Sequence, residues 1–359
     1  MDLIDSIDKK IGEVRTESLD LSVGEIITLH EQSELVIQPD FQRLFRWSYE
    51  QRSRLIESLL LELPIPSIFV IEKESGVLEL IDGLQRISSL LHFISTNGVP
   101  TESAPLTLEG CDLVPELNGL KFDELPLTLR LRLKRTAIRT VIIKRQSSQF
   151  LRYEMFKRLN TGGSRLSEQD IRNVNARMMG DIGSNFYNTI LNCANTPQFQ
   201  ATTELLPTNA LETRQNEELV LRYFAAKNFR YGFKGNVSDW LDNYMEQVLI
   251  GGAQLTDNDI STFNEVFSTL AEKFGQYAFV KYRNGSPVGG VAPAYFEAVT
   301  MGALNSLDQL KAMNPDDARR ALASSVESEE FRKVTGPGAN SLPKLEKRIQ
   351  LIQTAFSEI

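Results

Sequence analysis

Apolar residues recur along this chain with two different periods, and the alternation between them outlines its architecture. Over 21–30, 48–60, 83–94 and 126–134 they return every three or four residues, the spacing of a helix that buries one face. Leu55, Ile56, Leu59 and Leu60 form such a stripe behind Ser48, whose hydroxyl suits the free N–H groups of a first helical turn. Between these stretches lie short runs rich in β-branched residues, the composition of strands. They fall at 35–38, ended by Pro39, at 68–71 and 77–81 around a Glu74-Ser75-Gly76 turn, and at 136–144. The pair flanking Gly76 reads as a hairpin. Residues 96–126, rich in Pro, Gly, Asn and Ser, read as a long and partly ordered excursion. Helical spacing returns at 149–159 and 167–178, on either side of an Asn160-Thr161-Gly162-Gly163 turn. Beyond about 180 the strand signals fade, leaving helical stretches at 217–227, 240–249, 260–274, 295–301, 315–326 and 345–356.

This order predicts an α+β chain: a small mixed sheet with helices in residues 1–180, then a mostly α-helical domain in 181–359. A length of 359 residues suits two domains. Cys111 and Cys193 stand far apart with no CxxC pair, which gives neither a disulfide framework nor a zinc site. His30 and His92 are the only histidines, so an HxxxH zinc helix, an HNH nuclease module and a two-histidine phosphodiesterase are excluded. His92, on an apolar helical stretch, reads as a packing or surface residue. The first residues lack the basic and apolar regions of a signal peptide, and no run approaches the ~20 apolar residues that span a bilayer. The expected location is cytoplasmic, without a membrane partner.

Net charge is −8, which speaks against a surface that coats nucleic acid generally. The charge is uneven. From Leu125 to Arg177 thirteen basic residues face only Glu154, Glu168 and Asp170, a local net of +10. Such a belt can attract a polyanion, or it can be a solvated helix face.

Three clusters could carry chemistry. In Pro39-Asp40-Phe41-Gln42-Arg43-Leu44-Phe45-Arg46-Trp47, two arginines three apart stand among aromatics. Guanidinium groups fork onto phosphate and aromatic rings cover a base, although the same aromatics would also suit a core. In Ile81-Asp82-Gly83-Leu84-Gln85-Arg86 a strand turns into a helix whose first N–H groups can receive an anion. Gly83 would let backbone approach that anion closely. Asp82 and Gln85 also fit a helix cap, which competes for the same N–H groups. Ionised Asp82 suits a Mg²⁺- or water-orienting role better than proton donation. The third cluster runs from Phe156 to Asn173. It is not a P-loop, because no GK[ST] follows its glycines. It reads as a helix–turn–helix linker, with Ser167 and Asp170 opening the second helix, or as a source of Asn160 and Arg172 for a polar pocket.

In this order the clusters resemble the N-terminal domain of the GmrSD-type modification-dependent restriction endonucleases, through PDFQRLFRW, LIESLLLELPIP, DGLQR and FKRLNTGGSRLSEQDIR. The resemblance covers about the first half of the chain. It implies a ParB/sulfiredoxin-like core with the DGxQR turn at a nucleotide or phosphodiester site, NTP hydrolysis, and recognition of modified DNA in defence against phage. Carried over by position, Asp82, Gln85 and Arg86 are the catalytic candidates, with Asp82 also a Mg²⁺ ligand. Gln42, Arg43, Arg46, Trp47, Gly83, Asn160 and Arg172 are the nucleotide or phosphate ligands. Two departures stand out: Leu84 replaces an amide of the family's DGQQR pattern, and no C-terminal HNH domain is present, so cleavage would need the N-terminal site itself or a separate partner protein.

These readings leave three functions: a Mg²⁺-dependent NTPase or DNA-nicking hydrolase, a nucleotide or DNA sensor that signals to a separate nuclease, and an interaction scaffold. The expected partners are a nucleoside triphosphate, DNA including modified DNA, and a nuclease.

Overall fold

A computed structural model describes residues 2–13, 15–37, 47–94, 104–147, 155, 167–250, 253, 255–336 and 338–357. It divides into two compact units, 1–164 and 165–359.

The first unit is built on a five-stranded mixed sheet. Its strands are β1 (Thr16–Ser22), β2 (Leu35–Val36), β3 (Ile68–Glu72), β4 (Leu78–Asp82) and β5 (Ala137–Ile143), in the order β1-β5-β3-β4-β2. β3 and β4 form the antiparallel hairpin expected around Gly76, while β3 lies parallel to β5 and β4 parallel to β2. Its helices are α1 (Leu3–Gly12), α2 (Val23–Glu31), α3 (Tyr49–Leu60), α4 (Leu84–Ile94) and α5 (Leu127–Arg135). Ser48 caps α3 in a reciprocal box with Gln51, and the stripe Leu55, Ile56, Leu59 and Leu60 is buried. α3 packs on α4 and α5, and α2 on both as well, so one core joins Ile26, Ile56, Ile87 and Leu133 to Ile68, Leu80 and Ile138 of the sheet.

Sequence spacing placed a helix over 21–30. The chain instead forms β1 up to Ser22, and only then α2, with Ser22 capping it through Glu25 N–H. β1 is an edge strand with five exposed residues, so it carries almost no hydrophobic alternation. From residue 104 onward the excursion is more ordered than its composition suggests: Leu106, Leu108, Cys111, Leu117, Phe122 and Leu125 are all buried. α3 anchors it with polar side chains. Buried Glu57 accepts from Leu113 N at 3.0 Å and Val114 N at 2.7 Å, and Ser53 Oγ accepts from Glu109 N at 2.9 Å.

The second unit is almost wholly helical: α6 (Glu168–Met178), α7 (Gly180–Ala194), α8 (Pro197–Thr203), α9 (Thr208–Glu212), α10 (Gln215–Asn228), α11 (Val237–Leu249), α12 (Asp257–Phe274), α13 (Pro293–Asn305), α14 (Leu307–Ala312), α15 (Pro315–Glu327), α16 (Glu329–Thr335) and α17 (Leu342–Ser357). Phe199, Tyr223, Phe224, Phe263, Phe267 and Phe296 form its aromatic centre, with Phe263 and Phe267 centroids 4.3 Å apart. One hairpin interrupts the helices, β6 (Lys281–Arg283) with β7 (Ser286–Val288) around Asn284-Gly285. The expected boundary at 180 and the observed division at 164/165 differ by α6. This helix packs on α7, α10 and α11 and therefore belongs to the helical unit.

Candidate phosphate site where β4 meets α4

β4 ends at Asp82 and α4 begins at Leu84, leaving Gly83 alone to turn the chain. Its φ of +100° is one that L side chains rarely adopt, and a Cβ there would lie 2.5 Å from Ile68 Cγ2. The glycine is thus required by the backbone and by the β3 side chain above it. Its carbonyl accepts from Ile87 N at 2.9 Å, the first bond of α4. Leu84, where the family pattern has an amide, is buried in the core.

One turn later Arg86 reaches back. Its Nη2 donates to Asp82 Oδ2 at 3.0 Å and its Nη1 to the Pro66 carbonyl at 2.8 Å. The Arg86 guanidinium is mostly buried, whereas the Asp82 side chain is 33% exposed. A carboxylate held this way presents a fixed negative edge at the mouth of the turn. Among the described residues no donor engages Asp82 Oδ1.

Gln85 links the first two sequence clusters. Its Oε1 accepts from Trp47 N at 3.1 Å, so the end of the aromatic–arginine segment is hydrogen-bonded to the start of α4. Behind this contact runs a buried polar string through Arg52, a residue that the sequence did not single out. Arg52 Nε donates to the Trp47 carbonyl at 2.9 Å, and Arg52 Nη1 lies 3.1 Å from His92 Nδ1. His92 Nε2 sits 2.8 Å from the Ala104 carbonyl. A carbonyl can only accept, so Nε2 carries the proton and Nδ1 accepts from Arg52. Of the packing and surface roles that the sequence left open to His92, the structure shows the buried one, with both ring nitrogens hydrogen-bonded. The one clue to Arg52 was its position on the apolar face of α3, in line with Leu55, Ile56 and Leu59.

The structure thus gathers Trp47, Asp82, Gly83, Gln85 and Arg86 in the first unit. Gln42, Arg43, Arg46 and Asn160 lie outside the described residues. Arg172 lies in the second unit, 2% exposed, and its guanidinium meets Asp242 at 2.8 Å, Glu218 at 3.2 Å and Glu168 at 3.3 Å. Ser238 Oγ accepts from the same group at 2.9 Å. With three carboxylates around it, Arg172 ties α6 to α10 and α11. Among the described residues no three His, Cys, Asp or Glu side chains gather as a metal would require. Nor is any helix among them long and apolar enough to cross a membrane.

Residues 23–176 match the family described as the GmrSD restriction endonuclease, N-terminal domain. The solved structure of a Pnob8-like ParB-N domain is similar over 94% of this chain and 98% of that one, with 13% identity and a TM-score of 0.28. That overlay is too loose to support an argument; the α+β class rests on the sheet and helices themselves. A search of the curated proteins finds no match.

Proposed function

We propose that this chain, which carries a GmrSD-type restriction endonuclease N-terminal domain over residues 23–176, is a defence-associated protein that handles nucleotide or DNA phosphate where β4 meets α4. The observation that supports this most directly is the Trp47–Gln85 hydrogen bond. It brings the end of the segment bearing Arg43 and Arg46 to the turn bearing Asp82 and Arg86. In this reading the arginines of the first segment and the opening of α4 hold phosphate, Trp47 covers a base, and Arg86 fixes the orientation of Asp82. Mg²⁺ fits only as an ion that arrives with the phosphates, with Asp82 as its single protein ligand, because Mg²⁺ commonly keeps waters and one or two carboxylates. Phosphoryl transfer is dominated by positioning and charge stabilisation, so Asp, Gln and Arg suffice for an NTPase linked to recognition or cleavage of foreign or modified DNA.

A second reading is favoured by Leu84. Its burial leaves one polar side chain fewer to orient water, which suits a non-catalytic sensor that hands its signal to a separate nuclease. Phosphate release and thermal shift with ATP and GTP in Mg²⁺ separate the two. A ligand at about 100-fold its Kd adds about 2.7 kcal/mol of stability, so either reading requires a clear rise in Tm. Turnover lost in both Asp82→Ala and Arg86→Ala selects the enzyme. A Tm rise without product selects the sensor, and no rise with any nucleotide removes nucleotide handling from both.

A further inference from the structure

The basic excess between Leu125 and Arg177 is not evenly compensated in the folded chain. On β5 and just beyond it, the cations have carboxylates. Arg139 pairs with Asp20 at 2.7 Å, Lys144 with Glu17 at 2.8 Å and Glu72 at 3.3 Å, and Arg145 with Glu74 at 3.9 Å. Helix α5 differs. Of Arg130, Arg132, Lys134 and Arg135, only Arg132 has an acidic neighbour among the described residues, Glu62 at 4.0 Å, and both those side chains are largely exposed. Lys134 lies over the Phe122 ring, 5.5 Å from its centroid. Arg130 Nε is buried and finds no acceptor among the described residues.

Helical geometry sorts these cations. At 100° per residue, Arg130 and Lys134 form one flank of α5 and Arg132 and Arg135 the other, with the exposed Leu127 and Leu131 between them. Leu133 points into the core and fixes which face looks outward. A basic last turn complements the helix dipole, at about 0.3–1 kcal/mol per charge. That does not explain why three of the four cations have no carboxylate partner among the described residues in a chain with 47 acidic and 39 basic residues.

We propose that α5 is a docking surface for the sugar–phosphate backbone of duplex DNA, its two cationic flanks meeting phosphates and the leucines between them lying against the sugars. The inference rests on the DNA-associated reading above but concerns a surface apart from the β4–α4 turn. A helix lying in a membrane would present its broad apolar face to lipid, whereas the face of α5 that carries Leu133 is occupied by the core. Contacts of this kind are independent of sequence and steeply dependent on salt.

The test is the affinity of the full chain for a 30-base-pair duplex, by fluorescence anisotropy between 50 and 200 mM salt. Arg132→Gln, Lys134→Gln and Arg135→Gln together should lower affinity at least tenfold at the low end. They should also reduce the salt slope by about 2–3, since each phosphate contact contributes about 0.9. Arg139→Gln with Lys144→Gln, which removes two cations already paired, should change affinity less than threefold. Arg130 is left unaltered because it is partly buried, and an unchanged Tm certifies that the triple variant folds. Nucleotide-induced stabilisation should survive in the triple variant, so that loss of duplex binding is distinguishable from failure of the β4–α4 site. Equal affinity for wild type and triple variant, equal losses in the triple and double variants, or binding to phosphatidylserine vesicles but not to duplex would each overturn the assignment.

Discussion

Gly83 shows how one residue can satisfy two physical demands at once. Its φ of +100° disfavours any side chain, and Ile68 fills the space a Cβ would need. Gly76, at φ +83°, faces the first demand alone, since nothing lies within 4 Å of its Cβ position. Gly76→Ala should therefore cost about 1 kcal/mol, and Gly83→Ala about 2–4 kcal/mol, because a packing clash adds to backbone strain. Urea denaturation of both variants checks this. Ile68→Ala should recover part of the Gly83→Ala loss, and strict additivity of the two would show that Ile68 is not the obstruction. The sequence offered Gly83 as a place where a phosphate could approach; it could not show that a β3 side chain fills the space a Cβ would need. Asp82, Gln85 and Arg86 were legible because their spacing across a strand–helix junction is itself a signal. Arg52 and Glu57 were not, because a polar residue on an apolar helical face looks like noise until its buried partners are known.

At the scale of elements, hydrophobic stripes located α3, α4, α10, α11, α12, α13, α15 and α17, whose burial sustains a full helical period. β1 escaped notice because its surface is mostly solvated. The β6–β7 hairpin was missed although Asn284-Gly285 is a strong turn signal. What no periodicity reveals is the chain of buried charges joining helices of the second unit. Asp242, Arg172, Glu218, Arg222, Glu297 and Arg348 alternate in sign, and each bonds the next. Two adjacent residues of α10 respond to this setting in opposite ways. Burial pushes Glu217 above the ordinary carboxylate value of 4.5, against the pull of Arg214 and Asn173. Burial also opposes ionisation of Glu218, but Arg222 and Arg172 outweigh it and hold that carboxyl below 4.5. Glu218 therefore contributes stability that is complete above pH 4.5 and disappears as pH falls through its lower folded value, whereas Glu217 is most costly to folding when ionised. At pH 7, Glu218→Gln should cost roughly 3 kcal/mol, as expected when a buried pair is broken, and Glu217→Gln no more than about 1 kcal/mol. Melting curves from pH 7 to pH 3 should show the acid-induced loss flattened in Glu218→Gln alone. Equal costs for the two variants at pH 7 would remove the distinction.

For the molecule as a whole, the two cysteines give each unit its own reporter. Cys111 lies within the excursion of the first unit and Cys193 on α7 of the second, both buried. Burial, reinforced by Glu57 and Asp112, pushes Cys111 up to about 11, and burial alone does the same to Cys193. Both thiols are therefore protonated at pH 8, and the nucleophile in alkylation is the thiolate. Native protein should resist iodoacetamide, and each cysteine should react only when its own unit opens. In Cys193→Ala and Cys111→Ala variants, the urea dependence of labelling then gives a separate midpoint for each unit. Adding Glu218→Gln weakens the charge chain that joins α6, α10, α11, α13 and α17, so it should lower the Cys193 midpoint and leave that of Cys111 in place. If both midpoints moved together, the two units would unfold as one cooperative body, and the division at residue 164 would describe packing without describing stability.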